Sequence, residues 1–179
     1  MANDDYHTER LAEYRQRLAR LSQRYTFGEA AMRFALEEAR RGADEGEVPI
    51  GAIVVIDNRV VGAAHNLPVG LRDPTAHAEM LAIREAASLV GEYRLTEASL
   101  YVTLEPCVMC VGAIVNARIA KVYYGARDAK AGALGSVYDI GRDGRLNHRV
   151  EIYGGILAEE CARVLREFFA PRRARKVSP

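Results

Sequence analysis

The most informative absence in this sequence is that of any long apolar run. No stretch approaches the roughly 20 apolar residues that a helix needs to cross a bilayer. The N-terminus is charged and lacks the apolar core of a secretory signal. These absences argue against membrane-spanning and exported proteins, and we expect a cytoplasmic protein with no membrane partner.

Cysteine is scarce, and acidic and basic residues nearly cancel. Three cysteines, an odd number, do not make a disulfide scaffold and indicate a reducing compartment. The formal net charge of +1 neither favours nor excludes nucleic acid, so any electrostatic binding surface must be local. With 179 residues, of which 49% are hydrophobic and 27% charged, the composition predicts one soluble globular domain with a substantial core.

Two short motifs, separated along the chain, carry residues suited to a metal site. His77 precedes Glu79 with one residue between them, and Cys107 and Cys110 follow Pro106. One imidazole and two thiolates bind Zn²⁺ well, and three protein ligands leave the fourth position to water, as in catalytic zinc sites. Glu79 is then available for proton transfer. The combined pattern, H-x-E followed by P-C-x-x-C, is the signature of zinc-dependent base deaminases.

Each motif taken singly has an ordinary explanation. A lone His-Ala-Glu on a helix is most often a surface or core segment. A lone C-x-x-C occurs in redox proteins and as half of a structural zinc site. The combination, which these separate explanations do not cover, is what favours a catalytic metal site.

The residues around each motif predict helix starts that point towards one ion. Asp73 is expected as an N-cap with Pro74 at the first helical position, so that His77 lies in the first turn. There the positive end of the helix dipole disfavours imidazolium and keeps the ring able to bind a metal. Pro106 is expected to begin a second helix in the same way, with both motif cysteines about one turn apart on one face.

The first part of the chain predicts two helices. Residues 4–25 carry apolar side chains at spacings of three and four, which indicates an amphipathic helix that is docked on the domain surface or partly frayed. A self-pairing coiled coil is the alternative, although the pattern is short for one. Thr26 and Glu29 form a capping box that begins the next helix. We therefore assign residues 1–25 to an N-terminal helical extension.

The remaining pattern predicts a mixed sheet with helices on both faces. Asp57-Asn58 has the character of a two-residue hairpin turn. The strands on either side of the Cys107 helix must be parallel, because a helix joins them. The prediction is an α/β fold, a three-layer αβα sandwich whose sheet opens with an antiparallel hairpin and continues with parallel strands. Strands are predicted at 51–56, 59–64, 99–103, 119–124 and 149–153, helices at 74–90, 107–117 and from 157 to before 171, and a long Gly-rich loop at 125–148.

Beyond the two motifs, several stretches share one family resemblance. They lie at residues 48–52, 66, 73–79, 101–110, 125–130 and 147–151. They resemble the bacterial tRNA-specific adenosine deaminases, over about residues 26–170. The resemblance implies a cytidine-deaminase-like αβα fold, a homodimer, one catalytic Zn²⁺ per subunit, and conversion of the wobble adenosine of a tRNA anticodon to inosine.

The same resemblance implies roles for two further residues. Asn66 should hydrogen-bond the extruded purine nucleoside, and Asp128 should touch a flanking ribose. Without the resemblance, Asn66 at a strand end would be interpreted as a turn former and Asp128 as a loop residue. The metal ligands implied for this chain are His77, Cys107 and Cys110, with Glu79 as the catalytic carboxylate.

Two departures from the family pattern lie at the ends of the chain. Residues 1–25 have no counterpart that we identify. Pro171 is expected to end the terminal helix, which in the family continues into a basic end, so residues 171–179 form a basic tail that is either solvated or in contact with RNA phosphate. Its basic residues are Arg172, Arg173, Arg175 and Lys176.

The predicted chemistry is hydrolytic. Zinc lowers the pKa of its water towards neutrality and directs hydroxide to C6 of adenine. Glu79 takes a proton from the water, delivers one to ring N1, and protonates the departing ammonia. A stacked base is inaccessible, so the adenosine must be extruded from the loop, and RNA of this kind is read through splayed bases and 2′-OH contacts.

Three other functions stay open on the sequence alone. The first is a deaminase of a free base or nucleoside, of the guanine or cytosine type. The second is a structural zinc module that binds RNA, which needs a fourth protein ligand. Cys161 is the spare thiol, and we expect it on the apolar face of the last helix. The third, a C-x-x-C redox protein, leaves the placement of His77 and Glu79 unexplained.

Overall fold

The computed structural model describes the backbone of residues 2–175 and the side chains of residues 8–172. At its centre is a five-stranded mixed sheet of β1 (Gly51–Ile56), β2 (Arg59–His65), β3 (Ser99–Leu104), β4 (Lys121–Ala126) and β5 (Glu151–Gly154). The strand order is β2-β1-β3-β4-β5. Strand β1 pairs antiparallel with β2 and β3, whereas β3, β4 and β5 are parallel. The predicted α/β class, the antiparallel hairpin and the parallel strands that follow it are confirmed.

The described part of the chain forms six helices, which cover both faces of the sheet. They are α1 (Ala2–Ser22), α2 (Phe27–Asp44), α3 (Pro68–Leu71), α4 (Ala78–Val90), α5 (Val108–Asn116) and α6 (Ala158–Arg175). Side chains alternate along β1, so that Ile53 and Val55 pack with α1 and α2, and Ala52 and Val54 pack with α4 and α5. Helix α6 joins the first of these layers. None of these helices is both long and apolar enough to cross a membrane.

The N-terminal helix α1 is docked on the rest of the protein. Tyr14 is fully buried, and its hydroxyl donates a hydrogen bond of 2.7 Å to Glu85 on α4. Arg17 Nη1 donates at 2.6 Å to Glu38 on α2, and both of these side chains are buried. Of the arrangements predicted for the amphipathic segment, docking on the domain surface is therefore confirmed.

Two local sequence signals are also confirmed. Thr26 caps α2 and exchanges hydrogen bonds with Glu29 in both directions, which is the predicted capping box. Asp57 and Asn58 have φ of 48° and 58°, and two consecutive residues with positive φ make the hairpin turn between β1 and β2. Both features depend only on residues close together in the chain.

Pro171 does not end the last helix, and that prediction is wrong. Helix α6 continues through Pro171 to Arg175. Pro171 lies close to the end of α6, where its missing N–H removes a single helical bond, that to the carbonyl of the exposed residue Glu167. The Arg172 side chain donates at 2.8 Å to the carbonyl of Phe168 in the same stretch. Lys176 and the side chains of Arg173 and Arg175 lie outside the described residues, so the RNA contact of a basic tail stays a prediction.

Candidate metal centre

His77 and Cys107, the first ligand candidate of each motif, are the N-cap residues of α4 and α5. Both have extended backbone, with φ −74° and ψ 152° at His77, and φ −78° and ψ 174° at Cys107. Neither side chain caps its own helix. The imidazole and the thiol are therefore free to point at a ligand instead of at the helix.

The prediction that Asp73 and Pro74 begin the first of these helices is wrong. The Asp73 carboxylate accepts hydrogen bonds from Thr75 N at 2.8 Å and Thr75 Oγ1 at 2.7 Å, which closes a local turn. Helix α4 begins only at Ala78. Pro106 likewise precedes the N-cap of α5 and is not its first residue. His77 still lies at the helix N-terminus, where the dipole disfavours imidazolium, but its hydrogen bond with Cys107 acts in the opposite direction and raises the pKa of the ring.

The structure brings together His77, Cys107 and Cys110, the three ligands predicted from the sequence. His77 Nδ1 lies 3.7 Å from Cys107 Sγ and 3.5 Å from Cys110 Sγ, and the two sulfurs are 3.7 Å apart. Tetrahedral zinc, with bonds of about 2.3 Å to sulfur and about 2.1 Å to nitrogen, keeps two sulfurs about 3.8 Å apart and sulfur and nitrogen about 3.6 Å apart. The observed triangle therefore fits a zinc ion without rearrangement.

The proton affinities of these three groups are strongly linked. Hydrogen bonds from Cys110 and His77 lower the pKa of Cys107 to about 3. The hydrogen bond with Cys107 raises the pKa of Cys110, and burial raises it further. The hydrogen bond with Cys107 also raises the pKa of His77. Negative charge is thus concentrated on the Cys107 sulfur, the form of cysteine that binds metals, whereas Cys110 would lose its proton on binding a metal.

Glu79 lies beside this group without being part of it. It is the second residue of α4, and only 4% of it is exposed. Burial raises the pKa of its carboxyl group, and a hydrogen bond with Cys110 acts in the opposite direction. A buried carboxyl with a raised pKa next to a metal site can both accept and return a proton.

Asn66, predicted to contact substrate, is joined to the metal-binding segment. It follows β2, is almost fully buried, and its Oδ1 accepts a hydrogen bond of 2.8 Å from Ala78 N, directly after His77. Because Oδ1 faces an N–H, the other end of the amide must be the NH₂ group. Its Nδ2 has no hydrogen-bond partner among the described residues. Asn66 therefore offers an N–H donor in a fixed position.

Asp128, the other predicted substrate residue, lies in the loop after β4. Its Oδ1 accepts from Lys130 N at 2.9 Å, so part of its role is to form a local turn. Its own N–H donates at 3.2 Å to Glu105, just before the Pro106-Cys107 segment. The half-exposed carboxylate is not among the atoms of the metal group.

Glu105 is a further site residue that was not predicted from the sequence. This carboxylate is 2% exposed and lies between β3 and α5. Burial by itself raises its pKa, but hydrogen bonds from Ser136, Leu134 and Asp128 outweigh burial and lower the pKa below its usual range. Its position directly before the P-C-x-x-C motif was a signal that could have identified it. Its hydrogen-bond partners, however, are too distant in sequence for any local pattern to reveal them.

A fourth protein ligand would convert the site into a closed structural one. In the part of the chain with described side chains, His77, Cys107 and Cys110 are the only group of three or more candidate ligands close enough to share an ion. Cys161, the spare thiol, is buried on α6, and a Cβ built on Gly125 would lie 2.3 Å from its sulfur. The site therefore keeps the open position that catalytic zinc requires.

Comparisons with known proteins agree on the kind of chemistry. A model of the MafB19-like deaminase family matches residues 28–173, so α1 lies outside the match. A tRNA-specific adenosine deaminase of Haemophilus influenzae is 47% identical over 154 residues, which cover 86% of this chain and 89% of that protein. A solved tRNA:A34 deaminase, which edits A to I at the wobble position of transfer RNA, has a TM-score of 0.73 and 45% identity, covering 75% of this chain and 98% of the other. A guanine deaminase from Nitrosomonas europaea has a TM-score of 0.68 and 26% identity, covering 79% and 84%.

Proposed function

Since this chain belongs to the family of tRNA-specific adenosine deaminases, we propose that it hydrolyses the wobble adenosine of a tRNA anticodon to inosine. The observation that carries this proposal is the three-ligand group of His77, Cys107 and Cys110 with a buried carboxyl beside it. Three ligands and a carboxyl are the parts that hydrolytic base deamination requires. The choice of tRNA as the substrate is based on the relatives named above.

We assign the metal as zinc, one ion per subunit, held by His77 Nδ1 and the sulfurs of Cys107 and Cys110. The support is the donor set, one nitrogen and two sulfurs, together with separations of 3.5–3.7 Å between the three atoms. When bound, zinc supplies a water that ionises near neutral pH.

Glu79 is the general acid and base in this proposal. Its carboxylate accepts a proton from the attacking water as the new C–O bond forms at C6 of adenine. It delivers this proton to ring N1, takes a second proton from the new C6 hydroxyl, and passes that proton to the amino group as the C–N bond breaks, C6=O forms and ammonia leaves. The raised pKa of Glu79, caused by burial, supports a group that carries a proton for part of the cycle.

Asn66 and Asp128 are the proposed substrate contacts. Asn66 is an almost fully buried residue whose Nδ2 can bond an acceptor atom of the extruded purine nucleoside. The Asp128 carboxylate, on the loop beside the metal segment, is proposed to accept from the 2′-OH of a flanking ribose. We further propose that residues 26–170 form the catalytic domain, preceded by the helical extension of residues 1–25 and followed by a basic tail at 171–179.

We also propose that the enzyme is a cytoplasmic homodimer that binds a tRNA anticodon stem-loop. Exposed apolar side chains on and next to α5 support self-association, because Val108 and Leu146 line one surface groove with Val115. Light scattering on the zinc-loaded protein checks this, since a mass of one chain at micromolar concentration would contradict the dimer.

The experiment that tests the proposed function uses a tRNA without modifications whose anticodon begins with A. Pure protein is incubated with this tRNA, and inosine is detected by sequencing. A matched tRNA with G at the same position is the control. We expect conversion at that one position.

Guanine deamination is the second candidate, favoured by the similarity to the guanine deaminase from Nitrosomonas europaea. Free guanine, cytosine and adenosine are therefore assayed in parallel for released ammonia. Activity on free guanine or cytosine with no inosine in the tRNA would overturn the substrate assignment and leave the zinc chemistry intact.

A further inference from the structure

Glu105 holds together two segments of the site that are distant in sequence. Its Oε1 accepts hydrogen bonds from Leu134 N and Ser136 N, each 3.0 Å long. Its Oε2 accepts from Asp128 N at 3.2 Å and from the Ser136 hydroxyl. Each oxygen of this buried carboxylate therefore receives two donors, and all four come from the loop that follows β4.

The backbone of the same loop is pressed against the metal-binding segment. Ala133 N donates at 2.8 Å to the carbonyl of Pro106, and Gly132 forms an isolated bridge with Cys107. A Cβ at Gly132 would lie 2.5 Å from Cδ of Glu105, so no larger residue fits there. The loop carrying Asp128 is thus joined to the residues on both sides of Pro106.

Glu105 itself is placed to fix geometry and not to carry out chemistry. All four hydrogen bonds to its carboxylate come from the protein, and its oxygens are not in the metal group. A carboxylate bonded in this way is a rigid connector, because moving any donor leaves a buried N–H without an acceptor.

We propose that Glu105 is a positioning residue that fixes Asp128 relative to Cys107, and so sets how tightly RNA beside the target adenosine is bound. This inference rests on the proposed function, because it takes Asp128 as a contact to the flanking ribose. It concerns binding more than the chemical step, because none of the hydrogen bonds to the Glu105 carboxylate comes from a metal ligand or from Glu79.

Glu105→Gln is the sharpest variant because it keeps the shape of the side chain. Whichever way the amide is turned, its NH₂ faces a backbone N–H, that of Asp128 in one orientation and those of Leu134 and Ser136 in the other. We expect KM for an anticodon stem-loop to rise by about tenfold, with kcat within about threefold of native and full zinc content. Loss of folded enzyme alone would instead lower kcat at unchanged KM.

Two further variants complete the set. Ser136→Ala removes only the hydroxyl donor and keeps the three backbone bonds, so a smaller rise in KM, about threefold, is expected. It carries the test should Glu105→Gln fail to fold. Asp139→Asn is the matched control, because it is also a carboxylate-to-amide change in the same loop. Among the described residues, the Asp139 carboxylate pairs only with the exposed side chain of Arg142. It should leave KM unchanged.

A double-mutant cycle asks whether Glu105 acts through Asp128. In an Asp128→Ala background, Glu105→Gln should add less than about a twofold further rise in KM, because the contact that it positions is already lost. Hydrogen exchange on the zinc-loaded Glu105→Gln protein should be faster at the amides of Asp128 and Leu134 and unchanged in α4.

Native KM in Glu105→Gln, or losses that multiply fully with Asp128→Ala, would overturn the inference alone. Loss of zinc from Glu105→Gln would also overturn it, since the residue would then support the metal and not the loop. A wild-type protein that leaves the stem-loop unconverted would overturn the proposed function, and this inference with it.

Discussion

The proposed metal ligands and the proposed proton carrier have opposite electrostatic requirements. Cys107 and Cys110 must carry negative charge to bind a cation, and they lie at or near the N-terminus of α5 with His77 close by. Glu79 must instead gain and lose a proton, and it is buried where charge is disfavoured. The ligands and the proton carrier are therefore separate groups, and separate substitutions distinguish them.

Glu79→Ala should abolish turnover and leave the metal in place. Because the carboxyl group is not one of the three ligands, zinc content and RNA affinity should stay native. The loss in kcat should exceed the roughly 10²–10⁴-fold that is typical of general acid–base catalysis, since Glu79 is the one group proposed to carry the protons. Single-turnover kinetics with elemental analysis measures both. Glu79→Gln is the isosteric control, and activity of either variant within about tenfold of native would assign the protons to another group.

The three cysteines should separate cleanly by metal content. Cys107→Ala and Cys110→Ala should each lose zinc, which we expect at about one ion per chain in the native protein. Cys161→Ser should keep zinc and near-native activity, because that thiol lies in the core and outside the ligand group. Elemental analysis after dialysis decides the matter. Zinc lost from the Cys161 variant alone would point to a closed structural site.

Among the helices, α1 is hydrogen-bonded both to α2 and to α4, which pack against opposite faces of the sheet. Tyr14 and Arg10 both bond Glu85 on α4, and Glu85 also accepts at 2.7 Å from Ala63 N on β2. Helix α1 thereby bonds the same carboxylate that joins α4 directly to the strand leading to Asn66. It lies outside the residues that the family model matches.

Removing the Tyr14 hydroxyl should destabilise the protein without changing its core volume. Tyr14→Phe deletes the 2.7 Å hydrogen bond to Glu85 at a fully buried position. The free energy of unfolding should fall by about 1–2 kcal/mol. Chemical denaturation measures it, with Tyr93→Phe as the control, because Tyr93 is 64% exposed and should change by less than about 0.5 kcal/mol. Equal effects for the two variants would mean that α1 is not docked in solution.

For the enzyme as a whole, we expect the length of the substrate to have the largest effect on kcat/KM. The proposed contacts reach beyond the reacting base, through Asp128 and the loop that Glu105 holds. Much of the binding energy should then come from nucleotides that do not react. This makes substrate length a sharper probe than the identity of the base.

Free adenosine should be a very poor substrate compared with an anticodon stem-loop. We expect kcat/KM to be lower by at least about 10³-fold for the nucleoside, and lower for a deoxyribose loop than for the ribose loop. Added salt should weaken stem-loop binding through the phosphate contacts. Equal kcat/KM for adenosine and the stem-loop would reject the tRNA assignment. Equal kcat/KM for the two loops would reject 2′-OH recognition alone.

Features that depend on neighbouring residues were predictable from the amino-acid order. The capping box at Thr26, the Asp57-Asn58 turn and the parallel pairing of β3 and β4 each follow from local chemistry or from a short connection, and all three are confirmed. The types and spacing of His77, Cys107 and Cys110 likewise predicted that these three side chains come together, and the structure places their ligand atoms within 4.8 Å of one another.

Folding in three dimensions decided what depends on distant partners or on solvent. The Asp73 carboxylate accepts a hydrogen bond from Thr75 N instead of capping α4. Pro171 lies close to the end of α6, where its missing N–H removes a single helical bond. Glu105 gained its place only when folding brought amides 23 to 31 residues away onto one carboxylate. Sequence patterns show which side chains can react or bind. The distances between those side chains are set by packing, because hydrogen bonds and metal–ligand bonds form only between atoms a few ångströms apart, however far apart they lie along the chain.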